Sequence, residues 1–70
     1  MTIKTLSYIH SLLKAEEDKY YRIKDSFGKA IYEAEESGED ATQYKATYED
    51  AKQKWLAAYE AREDFEARAW

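Results

Sequence analysis

The sequence predicts an all-α fold: one antiparallel two-helix hairpin of coiled-coil type, occupying residues 1–70 as a single domain. Three observations carry this. The chain has no proline and only two glycines, so almost nothing interrupts a helix. Two long stretches repeat apolar residues at alternating steps of three and four. A single segment between them, EESGEDATQ, has the chemistry of a turn.

The first helix is expected over 3–37. Its heptad seam holds Leu6, Ile9, Leu13, Glu16, Tyr20, Ile23, Phe27, Ala30 and Ala34, nearly all apolar. Gly28 lies inside this helix, at a cost of about 1 kcal/mol relative to alanine. The turn is expected over 38–40. Gly38 suits the left-handed conformation that closes a helix, and Asp40 with Gln43 reads as a capping box for the next one. The second helix then runs over 41–70. Its seam holds Ala41, Tyr44, Tyr48, Ala51, Trp55, Ala58, Arg62, Phe65 and Ala69.

A tight turn at Gly38 sets the two seams antiparallel. The register that leaves room for it pairs Ala34 with Tyr44, Ala30 with Tyr48, Phe27 with Ala51, Ile23 with Trp55, Tyr20 with Ala58 and Leu13 with Phe65. Most layers set an alanine against a large side chain, which is how facing positions fill space at native density. In this register the one acid of the first seam, Glu16, faces the one base of the second, Arg62. A charged pair in a coiled-coil seam fixes register and orientation, and that is the role expected for Glu16 and Arg62. The competing reading makes Glu16 a general acid or a ligand, but no His, Asp or Glu cluster converges on it. Glu17 and Asp18 are expected to point into solvent.

Composition excludes several function classes. Without cysteine the chain has neither disulfides nor thiolate metal sites. His10, the single histidine, lacks a partner at ligand spacing on its helix and is expected beside Glu66 as an ordinary flanking contact, so no metal or cofactor is expected. No serine elbow and no phosphate-binding glycine loop is present. A net charge of −4 disfavours nucleic acid, which requires a basic stripe. No apolar run reaches membrane-spanning or signal-peptide length, and a cytoplasmic location is expected. The chain is therefore read as non-catalytic.

What remains is assembly. With both seams filled, one flank still carries Ile3, Tyr21, Ile31, Leu56, Tyr59 and Trp70, while the other offers Tyr8, Leu12 and alanines. Aromatic side chains are favoured interface anchors, and a two-helix core is thin for a solitary fold. Ile3, Tyr21, Ile31, Leu56, Tyr59 and Trp70 are accordingly the expected interface, through which two copies pair as a homodimer into a four-helix bundle. The same residues could instead meet another protein. A further alternative lies at the turn, where Glu33, Glu35, Glu36, Glu39 and Asp40 form an acidic tip that could dock on a basic protein surface as an inhibitor.

Two resemblances bear on the setting. The opening TLSYIHSLLKAEEDKYY and the ending DFEARAW look like small uncharacterised proteins of Firmicutes phages and prophages. This likeness implies a cytoplasmic accessory protein of a mobile element and supplies no activity. YEARE, from Tyr59 to Glu63, resembles the Tyr-x-x-x-Asp/Glu export pattern of the ESAT-6-like secreted hairpins. Their turn carries Trp-x-Gly, where this chain has Glu36-Ser37-Gly38.

Overall fold

The computed structural model describes residues 2–69, which form two helices, α1 (Ile3–Glu36) and α2 (Thr42–Ala69), packed along their lengths as a hairpin. Helix content follows from composition, and the ends follow from local hydrogen bonding. At the start of α1 the Thr2 side chain accepts from the Thr5 backbone N–H at 3.2 Å, satisfying one of the donors that a helix leaves open.

At the other end of α1 the chain closes as a Schellman motif. Glu39 N–H donates to the Ala34 carbonyl at 2.8 Å, and Gly38 N–H donates to that of Glu35 at 3.2 Å. Gly38 takes φ = 76°, a conformation in which a Cβ would be strained. The helix stops at Glu36, with Ser37 as its cap rather than its last residue. The expected Asp40–Gln43 box does not form. Asp40 Oδ1 instead accepts from the Thr42 N–H at 3.0 Å and from the Thr42 hydroxyl at 2.6 Å. A threonine two residues on supplies both donors at once, a local turn geometry that competes with the longer reach to Gln43. These bonds hold the Asp40 carboxyl below its ordinary value, the side-chain bond contributing most.

The molecule is a rod of 54 × 15 × 13 Å. Its radius of gyration is 16.0 Å, against about 11 Å for a compact chain of this length. Packing between the helices is correspondingly thin. The buried apolar residues are Ala34, Ala41, Ala51 and Ala58. Among the described residues no larger side chain is fully buried. Alanines in the seam let the backbones approach, while Leu13, Tyr20, Ile23, Phe27, Tyr48, Trp55 and Phe65 wrap around the contact half-buried. Tyr44, expected within the seam, is 40% exposed and leans its ring against Phe27 at 6.1 Å.

Candidate interaction surface

One long side of the hairpin carries a row of aromatic residues in mutual contact. Tyr21 of α1 and Trp55 of α2 place their rings 6.0 Å apart, and Trp55 meets Tyr59, one turn further along α2, at 5.9 Å. The Lys24 ammonium lies 4.9 Å from the Tyr21 ring, 5.7 Å from Tyr48 and 5.8 Å from Trp55, close enough for attraction to each π-face. At the other end of the row the Arg62 guanidinium stands 5.3 Å from the Tyr59 ring. A hydrogen bond to Glu63 raises the Tyr59 hydroxyl above its ordinary pKa.

A groove of about 850 Å³ opens beside this row, lined by Lys14, Glu17, Tyr21, Trp55 and Arg62 among others. A second, of about 320 Å³, continues toward the turn past Lys24, Gly28, Tyr32 and Tyr48. The aromatic face therefore carries a shallow channel over much of its length. On the opposite face a smaller hollow is bounded by Leu13, Glu16, Tyr20, Lys54, Ala57, Ala58 and Ala61.

That placement of Glu16 corrects the expected seam pair. Glu16 is exposed and lies across the hairpin from the groove that Arg62 lines. Arg62 pairs with Glu17 instead: its Nε donates to Glu17 Oε2, and its second terminal nitrogen to Glu17 Oε1 at 3.4 Å. The other terminal nitrogen donates to both Glu66 oxygens, at 3.1 and 2.9 Å. Glu66 Oε2 also stands 2.7 Å from His10 Nε2, and the His10 ring stacks on Phe65. The reason for the change is donor satisfaction at low desolvation cost. A guanidinium has five N–H donors. Centred in the seam it would meet one carboxylate in an apolar layer, whereas at the seam's edge it reaches two and keeps contact with water. Glu17 and Arg62 retain 19% and 17% side-chain exposure.

The resulting chain of contacts, His10–Glu66–Arg62–Glu17, joins the helices near the open end of the hairpin. Hydrogen bonds from His10 and then Arg62 hold the Glu66 carboxyl below its ordinary value, and the two carboxylates push Arg62 further toward its charged form. Two sequence signals pointed here: Glu66 follows Arg62 by four residues, and flanking rather than central positions carry cross-helix ion pairs in coiled coils.

The expected interface residues divide. Ile3, Tyr21 and Tyr59 are 82%, 48% and 37% exposed; Ile31 and Leu56 are half-buried; Trp70 lies outside the described residues. Tyr21 and Tyr59 join the row through Trp55, a seam residue that is itself half-buried. On the opposite side Tyr8 and Leu12 are exposed, at 65% and 53%. The acids of the turn are exposed as well, with Lys45 bridging to Glu35 at 3.1 Å.

Among the described residues no cluster of three or more histidines, aspartates and glutamates is placed to hold a metal ion, and no helix is long and apolar enough to cross a membrane. Compared with protein-family models, curated proteins and solved structures, the chain shows no significant match.

Proposed function

We propose that this chain is a non-catalytic protein–protein interaction module that works by self-association, two hairpins pairing as a dimer into a four-helix bundle. The observation that carries the reading is the core, in which nothing larger than alanine is buried among the described residues. A fold in which no large apolar side chain among the described residues is fully buried leaves hydrophobic burial to complete. Surface area supports this quantitatively. The chain exposes 5395 Å², against about 4,600 Å² for a compact monomer of its mass. The excess of roughly 800 Å² is what one partner contributes to a standard protein interface.

The likeness of its two ends to small phage and prophage proteins supports an accessory role in a mobile element. Sedimentation equilibrium at micromolar concentration tests the assembly. A mass of twice the 8.3 kDa protomer is the expected result, and a stable monomer would overturn the reading.

A further inference from the structure

We propose that the open end of the hairpin is a separable segment, held shut by the Glu17–Arg62–Glu66–His10 contacts, which parts while the half next to the turn stays paired. This property belongs to a single copy of the chain and is independent of self-association.

Burial along the rod is lopsided. Ala41 is buried beside the turn, and the buried residues within the helices are Ala34, Ala51 and Ala58. Among the described residues α1 has none before Ala34, and α2 has none after Ala58. Toward the open end Leu6, Ile9, Leu13 and Phe65 are only half-buried. Local stability follows the density of buried apolar contacts, so this end is the weaker one. The other end is also tied by the chain itself, through the closure at Gly38.

Polar contacts hold the weaker end. Arg62 donates to Glu17 across the helices and to Glu66 along its own helix, and Glu66 meets His10 of α1 at 2.7 Å. Both cross-helix contacts join half-buried residues, whereas the cross-helix pair near the turn, Lys45 with Glu35, is exposed. Partial desolvation strengthens a charged hydrogen bond, and removing one partner leaves the other charge poorly solvated. Arg62 is shared by two carboxylates and Glu66 by Arg62 and His10, so the contacts close and release together. Release uncovers the stripe of Leu6, Ile9, Leu13 and Phe65. The parted helix ends then fray, because isolated helices shorter than about 12–15 residues are marginal in water. The clasp thus governs access to apolar surface that the closed hairpin half covers.

Native-state hydrogen–deuterium exchange on the full chain, read amide by amide and corrected for intrinsic rates, tests this. In the wild type the amides of Ile9, Leu13 and Phe65 should exchange faster than those of Ala30 and Ala51 by about tenfold or more. Equal protection would overturn the separable segment. Two mild substitutions then locate the cooperative units. Gly38→Ala weakens the turn, which stays closed when the open end parts. It should speed exchange at Ala30 and Ala51 about fivefold and leave Ile9, Leu13 and Phe65 within about twofold of the wild type. Equal acceleration at both would mean one cooperative unit and would overturn the proposal. Glu17→Gln weakens the clasp and should speed exchange at Ile9, Leu13 and Phe65 by about threefold or more. Unchanged rates there would overturn the role given to the contacts.

Discussion

Arg62 decides how the charges of the hairpin are arranged. Its guanidinium bridges Glu17 across the helices and Glu66 along its own, while Glu16 faces away over the alanine side. Glu17→Gln is therefore expected to lower the melting temperature by roughly 5 °C, the size of one charge-assisted hydrogen bond in a small domain. Glu16→Gln should leave it unchanged, and thermal melts followed by circular dichroism separate the two. Acid should act through Glu66. The bonds from His10 and Arg62 hold its folded pKa below the ordinary 4.5, so its contribution to stability is complete above pH 4.5 and is lost as pH falls through the lower folded value. Wild-type melting temperature should thus fall more steeply below pH 4.5 than that of Glu66→Gln.

The helices and their turn respond to glycine in opposite ways. Gly28 sits inside α1, and a Cβ there would meet the Tyr48 ring at 3.5 Å, an ordinary contact. Gly28→Ala should stabilise the hairpin by about 1 kcal/mol through helix propensity. At Gly38 the space is open but φ is 76°, and Gly38→Ala should cost about 1 kcal/mol in backbone strain. Urea unfolding of both variants checks the signs. Both helices, their ends to within a residue or two and the glycine closure were legible in the sequence, because periodicity and turn chemistry are local. The Asp40–Thr42 cap was not, since a capping box and a shorter side-chain turn share the same Asp and differ only in backbone geometry.

As a whole the molecule is a thin rod whose buried apolar residues, among those described, are alanines. If pairing completes its core, stability depends on protomer concentration. The melting temperature should rise steadily between about 1 and 100 µM chain, by roughly the several degrees that RT ln of a hundredfold concentration change, about 2.7 kcal/mol, implies for a small domain. A concentration-independent melt would argue against the bundle.

Sequence alone determined the helical class, the antiparallel direction and the glycine closure. Each of these rests on spacing along one chain. The tertiary structure decided which acid Arg62 takes, and it set the half-buried Trp55 ring beside those of Tyr21 and Tyr59. Heptad positions name a direction in steps of about 100°, whereas long side chains choose partners by reach. Arg62, at the edge of a narrow, alanine-lined seam, turns toward the two carboxylates that satisfy more of its donors.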